Sequence, residues 1–285
     1  SAMRCASFLT EERESFGVLR GDEAFEATAE FRAVYPDMKT LLTAGALDEL
    51  QANLEPNAAA AVRFLPPIPK PDKILCVGVN FRPHVEEMGR QVPEHPVVFV
   101  RFANSLVGHA ADIVRPAASR QYDYEGELAI VIGRRARAVD AAEALACVAG
   151  YMPFFDGSVR DWQRHTSQFT PGKNFPCSGS AGPAFVTPDE TGDPAALTLE
   201  TRLNGEVMQE GCIEDLIFSV PDLVAYCSTF ACLEPGDIIA TGTPGGVGAA
   251  RTPPRWLEPG DEVEIDIGKV GRLRNTVVAE SLQAQ

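Results

Sequence analysis

Short apolar segments, each ended by glycine, proline or a charged residue, recur beyond residue 69 and are typical of β-strands. The predicted strands are ILCVGV (74–79), VVFVRF (97–102), ELAIVIG (127–133), TLETRLNG (198–205), DIIATGT (237–243) and DEVEIDIG (261–268). Helical spacing is much rarer in this part of the chain. The pattern therefore predicts an α+β fold that is mainly β.

Two segments have the caps and the apolar spacing of helices. Asp140 precedes AAEALACVAG, where we predict a helix that ends at Gly150. Ser219 precedes VPDLVAYCSTFACL, and Pro221 falls in the first turn, where a proline is tolerated.

The first part of the chain has a different pattern. A strand at MRCASFL is followed by a hairpin around Gly21-Asp22 and a helical region over 37–51 with a glycine interruption. FLPPIPKPDK (64–73) has four prolines in ten residues, which excludes a regular helix and is typical of a rigid linker. We predict a small N-terminal α/β domain over 3–68 and a larger domain over 69–285.

Composition limits the kinds of partner. Lys and Arg number 25 against 40 Asp and Glu, a net charge of −15. An acidic surface repels phosphate backbones and anionic lipids, so we expect neither nucleic acid nor membrane as a partner. The N-terminus lacks the basic and apolar regions of a signal peptide. Seven cysteines without a C-x-x-C pair favour reduced thiols and a cytoplasmic location.

The segment QYDYEGELAIVIG (121–133) carries acids at the alternate positions Asp123, Glu125 and Glu127. Alternate residues on a strand point to the same face. The segment continues with apolar residues on both faces, which predicts a strand buried on both sides. In DEVEIDIG, by contrast, acids alternate with apolar residues, as in a half-solvated strand. Carboxylates that lead into a buried strand need a proton, a cation or a metal.

On the residues alone, three interpretations of these acids remain open. Glu125 and Glu127 flank a glycine that permits close approach, so they could bind one hard divalent ion. They could instead face solvent. A third interpretation is ion pairs with the arginines that follow the strand, Arg134, Arg135 and Arg137. A metal site predicts another acid downstream, which Asp156 in GYMPFFDGSVRDWQ offers.

Two further segments carry groups suited to chemistry. TPGGVG after DIIATG is a glycine-rich loop whose N–H groups can approach an anion, although it lacks the lysine of a P-loop. In GVNFRPHVEEMG (78–89), Pro83 can start a short helix that places His84 and Glu87 one turn apart. A carboxylate that orients a histidine is a common way to activate water. Alone, such a pair is more often a plain surface feature, as is Lys173 in FTPGKNF.

Together these segments resemble the fumarylacetoacetate hydrolase family. The matching motifs, in the family's order, are G-x-N-aromatic-x-x-H-x-x-E at 78–87, YEGELAIVIG at 124–133, GYMPFFDGSVRDWQ at 150–163, PGK at 171–173, LNGEVMQ at 203–209 and LEPGDIIATGTPGGVG at 233–248. The resemblance covers about residues 70–280. It implies a mixed β-sandwich roll, usually a homodimer, often preceded by a small N-terminal domain.

The resemblance also implies roles for particular residues. The implied ligands of Mg²⁺ or Mn²⁺ are Glu125, Glu127 and Asp156, whereas Asp123 matches no ligand. His84 and Glu87 match a catalytic pair on a mobile lid, and Lys173 matches a catalytic lysine. The residues that match substrate-binding positions are Gln163, Thr243, Gly242 and Arg101. Phe81 and Arg101 depart from the tyrosine and lysine that many members have, which bears on the substrate and not on the metal.

The implied activity is a metal-dependent hydrolase. It would cleave a carbon–carbon bond in an acylpyruvate-like or β-diketo acid through an enolate that the ion stabilises. In this hypothesis Glu87 orients His84, which deprotonates water, while Lys173 and Gln163 stabilise the developing charge. The alternatives are decarboxylation of oxaloacetate, dehydration of a 2-oxo acid and keto–enol isomerisation, because one site serves all four. A non-catalytic, metabolite-binding member is disfavoured, because the implied functional residues are all present.

Overall fold

A computed structural model describes residues 2–87 and 89–281. The strands are β1 (Arg4–Thr10), β2 (Arg13–Arg20), β3 (Glu23–Glu26), β4 (Arg63–Phe64), β5 (Ile74–Gly78), β6 (Val97–Val100), β7 (Leu106–Val107), β8 (Asp112–Arg115), β9 (Tyr122–Asp123), β10 (Gly126–Ile132), β11 (Val148–Phe155), β12 (Ser158–Val159), β13 (Gly179–Ala181), β14 (Phe185–Val186), β15 (Thr198–Leu203), β16 (Glu206–Cys212), β17 (Ile238–Ala240), β18 (Glu262–Ile267) and β19 (Gly271–Ala279). The α-helices are α1 (Ala29–Val34), α2 (Met38–Thr43), α3 (Arg82–Glu87), α4 (Ala141–Ala144), α5 (Arg160–Gln163), α6 (Thr170–Lys173), α7 (Pro188–Thr191) and α8 (Val220–Phe230).

Two large sheets contain most of these strands, and β9 and β12 form a separate two-stranded sheet. The larger sheet has twelve strands, and its main path runs β3-β2-β1-β14-β11-β10-β17-β5-β6. The second has five strands in the order β16-β15-β18-β19-β8. Strands β10 and β11 pack against β15, β18 and β19, so the main apolar core lies between the sheets. The predicted α+β, mainly β fold is confirmed.

The strand predictions were most successful where the apolar pattern was clear. All six predicted strands beyond residue 69 are present, as β5, β6, β10, β15, β17 and β18. Strand β10 is buried at every position and lies between β11 and β17. Strand β18 alternates buried apolar residues with more exposed acids, as a half-solvated strand does. Helix α8 begins at the predicted cap, where Ser219 and Asp222 form a capping box.

The helix predicted after Asp140 is wrong in its length. Helix α4 ends at Ala144, and after a short 3₁₀ turn the chain enters β11, so Gly150 is a strand residue. A Cβ on Gly150 would lie 2.4 Å from the carbonyl oxygen of Val186 in β14. Glycine therefore permits two strands to approach closely here and does not end a helix.

The N-terminal elements extend the larger sheet. Strand β1 pairs with β14, with Arg4 opposite Val186. Strands β2 and β3 form the predicted hairpin around Gly21-Asp22, and helix α2 is followed by Gly45 with a φ of 68°. The small domain over 3–68 thus shares its sheet with the rest of the chain, and its boundary remains a prediction. Among the described residues, no helix has the length and apolar character needed to cross a bilayer.

Candidate metal centre and active site

Three carboxylates meet where β10 begins and β11 ends. Glu125 immediately precedes β10, Glu127 is its second residue, and Asp156 directly follows β11. The two strands pair antiparallel with Gly126 opposite Phe155, which brings the start of one beside the end of the other. One oxygen of each carboxylate lies within 4.8 Å of an oxygen of the other two. The three acids proposed as ligands are therefore brought together.

The three acids differ in their surroundings. Glu127 and Asp156 are fully buried, whereas the Glu125 side chain is 12% exposed. Burial raises the pKa of Glu127 well above its usual value, and the charges of Asp156 and Glu125 raise it further. Burial also acts to raise the pKa of Asp156, but Lys173 and Arg101 hold it below its usual range. The protein thus keeps Asp156 ionised, while Glu127 requires a proton or a further cation.

Glu127 has one carboxylate oxygen that is still free to bind such a cation. Its Oε1 accepts the N–H of Gly242 at 2.8 Å, whereas Oε2 is buried without a hydrogen-bond partner. An unsatisfied buried acceptor costs about 1–3 kcal/mol, and more when it is charged. A divalent ion between the three carboxylates would satisfy Oε2 and offset the repulsion between the acids. Three hard oxygen donors suit Mg²⁺ or Mn²⁺, so the residues fit the predicted ion.

Two buried cations hold Asp156 in place. Arg101 is 1% exposed and donates from Nη1 to Asp156 Oδ1 at 2.7 Å. Lys173 donates from Nζ to Asp156 Oδ2 at 2.9 Å and to Ser158 Oγ at 2.6 Å. Its ammonium also lies 3.4 Å from Glu125 Oε1. Both cations thus fix the position of an acid and supply positive charge next to it.

A third cation, Arg160 at the start of α5, contacts the exposed side of the acid group. Its Nη1 donates to Glu125 Oε2 at 2.7 Å and to Gln163 Oε1 at 3.0 Å. Its Nε donates to Asp123 Oδ2 at 2.9 Å. Sequence reasoning assigned no role to Arg160. The sequence feature that could have indicated its role was its spacing of three residues from Gln163, which places both side chains on one face of a helical turn.

Asp123 has a different role from the two acids that follow it. The chain leaves regular strand structure at Tyr124 and Glu125, between β9 and β10. The Asp123 carboxylate accepts the N–H groups of Gly248 and Ala249 at 2.8 and 2.9 Å. Asp123 therefore fastens the glycine-rich loop and lies outside the group of three carboxylates.

One of the three open interpretations, ion pairs of these acids with Arg134, Arg135 and Arg137, is not found in the described part of the chain. Arg135 lies 3.9 Å from Glu234, and Arg137 donates to the carbonyl oxygens of Ser228 and Thr229. These arginines follow the end of the seven-residue strand β10, whereas the acids lie at its start. At about 3.3 Å per residue, the strand separates the two groups by roughly 20 Å. Residues distant in sequence supply the cations instead.

One cavity of about 640 Å³ lies between Glu125 and helix α3. The predicted site residues that line it are His84, Glu125, Gln163, Lys173 and Thr243. A Cβ on Gly245 would lie 3.1 Å from His84 Nδ1, so the glycine-rich loop leaves room for the imidazole. The Glu87 backbone ends α3, but its side chain lies outside the described part of the structure, and its role remains a prediction.

The remaining predicted residues support the acids or the loop. Gly242 has a φ of 111° and donates to Glu127. The Thr243 hydroxyl donates to the carbonyl oxygen of Gly126 at 2.8 Å and accepts from Gln209. In the described structure, neither Gly242 nor Arg101 is among the residues that line the 640 Å³ cavity. Their assignment to substrate binding remains a prediction.

Asn80 is a structural residue that sequence reasoning left without a role. It is fully buried, and its Nδ2 donates to the carbonyl oxygens of Thr241 and Phe218 at 2.8 and 3.1 Å. It thereby joins the segment before α3 to the strand that leads into the glycine-rich loop. Its position in the motif at 78–87 was the sequence feature that could have indicated this role.

Comparison with known proteins assigns the chain to a family. The family model described as fumarylacetoacetate (FAA) hydrolase C-terminal matches residues 73–278. A mitochondrial oxaloacetate tautomerase of Homo sapiens is 43% identical over 231 residues, which cover 80% of this chain and 74% of the relative. An oxaloacetate tautomerase of Bacillus subtilis is 43% identical over 221 residues, which cover 76% and 73%. Maleylpyruvate hydrolase from Sphingobium sp. SYK-6, crystallised with manganese(II) and pyruvate, matches with a TM-score of 0.80 at 30% identity over 98% of this chain and 100% of that one. Because the family model spans most of the length and the relatives exceed 40% identity, the chain belongs to the fumarylacetoacetate hydrolase family of enzymes, as its motifs predicted.

Proposed function

We propose that the protein is a divalent-metal-dependent enzyme of 2-oxo acids, and that its reaction is the keto–enol tautomerisation of oxaloacetate or a close analogue. The observation that carries the proposal is that Glu125, Lys173 and His84 line one cavity above the group of three carboxylates. Two relatives at 43% identity are named oxaloacetate tautomerases. They support this reaction over the carbon–carbon cleavage that the sequence alone favoured.

Glu125, Glu127 and Asp156 are the residues that would hold Mg²⁺ or Mn²⁺. An ion bound there polarises the carbonyl of a chelating 2-oxo acid and makes the neighbouring C–H more acidic. The presence of both Mn²⁺ and pyruvate in the maleylpyruvate hydrolase structure supports this assignment. Arg101, Lys173 and the N–H of Gly242 keep the carboxylates in place.

His84 is the proton carrier in this proposal. An imidazole can both accept and donate a proton, and His84 is a half-buried residue on the cavity wall. It would take a proton from the carbon next to the carbonyl and deliver one to the carbonyl oxygen, so that the keto form becomes the enol without loss of atoms. The reverse transfer restores the keto form.

Lys173 is less suited to act as the base. Burial lowers its pKa, but the charges of Asp156 and Glu125 outweigh burial, and the pKa lies above its usual value. Its ammonium also has acceptors at Asp156, Ser158 and Glu125. Lys173 therefore remains a cation that positions the acids and stabilises negative charge on the substrate.

Cleavage of an acylpyruvate or β-diketo acid is the second candidate. A structure named maleylpyruvate hydrolase matches 98% of the chain, which favours it over dehydration. In that reaction His84 would deprotonate a water molecule in the same cavity. The three carboxylates of Glu125, Glu127 and Asp156 would have the same role in both reactions.

The test follows enol absorbance with oxaloacetate and with an acylpyruvate, each in the presence of Mn²⁺, Mg²⁺ or EDTA. Metal-dependent acceleration of enol–keto interconversion, with neither CO₂ nor pyruvate released, supports the tautomerase. Release of pyruvate and a carboxylic acid from the acylpyruvate, without faster tautomerisation, overturns it in favour of the hydrolase. Release of CO₂ from oxaloacetate would instead support decarboxylation.

A further inference from the structure

We propose that Arg164 binds a second carboxylate at the end of the substrate away from the three acids, so that the enzyme selects 2-oxo dicarboxylates. This inference rests on the proposed function, because the other end of the substrate must chelate at Glu125, Glu127 and Asp156. It adds a specificity-determining residue that the sequence motifs do not include.

The position of Arg164 follows from the turn formed by α5. The N–H of Arg164 donates to the carbonyl oxygen of Arg160 at 3.1 Å. Side chains four residues apart on such a turn share a face, with Cβ atoms about 5–6 Å apart. Arg160 contacts Glu125 at 2.7 Å, and Arg164, one turn along the same face, lines the cavity that Arg160 and Glu125 also line. That step corresponds to the few bonds between the two carboxylates of a short diacid.

The charge distribution supports the same assignment. Arg160 and Lys173 already bind carboxylates of the protein. Arg164 also lines the 640 Å³ cavity. Within residues 2–87 and 89–281, its guanidinium has no hydrogen-bond or ion-pair partner. It is therefore a cation on the cavity wall that is available to a ligand.

Among the described residues that line the cavity and do not contact the acids, the ionisable side chains are those of Arg164, Arg90 and His84. Apolar side chains that line the cavity include Val77, Val79, Val85, Phe99, Phe169 and Val247. Arg90, from the segment after α3, is a second exposed arginine on the same wall. A carboxylate needs a cation or a hydrogen-bond donor when it leaves water. In this proposal Arg164 supplies that cation and thereby makes a dicarboxylate a better substrate than an analogue without the distal charge.

The first experiment compares oxaloacetate with its 4-methyl ester, which keeps the chelating end and removes the distal charge. We expect wild-type kcat/KM to favour the diacid by about 10–100-fold, the range that one charged hydrogen bond supplies. In Arg164→Gln this ratio should fall towards 1, mainly through a higher KM for the diacid. Arg134→Gln, an exposed arginine outside the cavity, should keep the wild-type ratio. An unchanged ratio in Arg164→Gln, or its loss in Arg90→Gln alone, overturns the inference.

A binding experiment tests this inference independently of the proposed reaction. The Mn²⁺-loaded protein is titrated calorimetrically with oxalate and with N-oxalylglycine, which adds a distal carboxylate to a similar chelating end. If wild type turns over neither substrate, the proposed reaction fails. A selective 10–100-fold weakening of N-oxalylglycine binding in Arg164→Gln would still support the carboxylate site. Equal weakening of both ligands, or of neither, would reject it.

Discussion

The carboxylate of Asp123 accepts a hydrogen bond from Arg160 Nε at 2.9 Å, and the two side chains are 0% and 8% exposed. The same carboxylate accepts two N–H groups of the glycine-rich loop. One buried acid therefore connects that loop to the arginine that positions Glu125. The position of Glu125 thus depends on a residue that does not contact it.

Asp123→Asn should destabilise the fold and impair catalysis, while a measurable affinity for Mn²⁺ remains. Removal of one partner from a buried ion pair costs about 3–5 kcal/mol when the other charge is left uncompensated. Because Arg160 keeps Glu125 as a partner, we expect a loss near or below the lower end of that range. Thermal unfolding, kcat/KM and Mn²⁺ titration measure the three effects.

Asp266→Asn is the matched control for this variant. Asp266 on β18 pairs with Arg272 on β19, and the two side chains are 33% and 59% exposed. Exposed pairs contribute about 0–1 kcal/mol, so the melting temperature should change little. Equal melting temperatures for Asp123→Asn and Asp266→Asn would contradict a structural role for Asp123.

Glu127→Gln should remove the response to metal without harming the metal-free protein. The neutral amide relieves repulsion by Asp156 and Glu125, the charges that help to raise the pKa of Glu127. Wild type should gain about 2.7 kcal/mol of unfolding free energy when Mn²⁺ is at 100 times its Kd. The variant should gain little under the same conditions. The control is Glu262→Gln, on the exposed face of β18, which should be stabilised by Mn²⁺ as much as wild type is. A full Mn²⁺ response in Glu127→Gln would mean that Glu127 is not a metal ligand.

His84→Asn should lower kcat by about 10²–10⁴-fold, the usual contribution of a positioned acid–base group. His84 lies on the cavity wall and not in the apolar core, so melting temperature and Mn²⁺ affinity should stay close to wild type. The control is His95→Asn, an exposed histidine that stacks on Tyr226. Undiminished turnover in His84→Asn would mean that a group other than His84 carries the proton.

Local sequence patterns singled out Glu125 and Glu127, because carboxylates that lead into a buried strand need compensation, but they left three interpretations open. The resemblance to a family implied the role of metal ligand, and no local pattern indicated the cations that hold these acids. Arg101 and Lys173 reach Asp156 from segments 55 and 17 residues away, and only the tertiary fold sets such contacts. Asp123 shares the alternation of its neighbours, but the break between β9 and β10 directs it to the glycine-rich loop.

Strand β11 shows the same limit of local sequence patterns for the prediction of secondary structure. VAGYMPFF is a short apolar run, and periodicity alone does not distinguish a buried strand from the end of a buried helix. Its pairing with β10, β13 and β14 decides the outcome. The sequence of β18 needed no such help, because its alternation matches a sheet with one exposed face.

The last prediction concerns pH and a histidine far from the acids. Burial, with a smaller effect from the charge of Arg274, lowers the pKa of His109 to about 4. In the unfolded chain the ring binds a proton near pH 6.5. Between these two values the unfolded state holds more protons, so acidification favours unfolding. The contribution of His109 to stability is therefore present above pH 6.5 and is lost as pH falls towards 4.

His109→Asn should remove this dependence, because asparagine does not bind a proton in this pH range. Its side-chain oxygen can still accept the N–H of Arg274 that His109 Nδ1 now accepts at 3.1 Å. From pH 7 to pH 4, wild type should lose roughly 1–2 kcal/mol more unfolding free energy than the variant, after allowance for solvent screening of this half-buried group. Urea unfolding at several pH values gives the difference. The exposed His165 supplies the control, since His165→Asn should follow the wild-type curve. Parallel curves for wild type and His109→Asn would mean that His109 protonates equally well in the folded state.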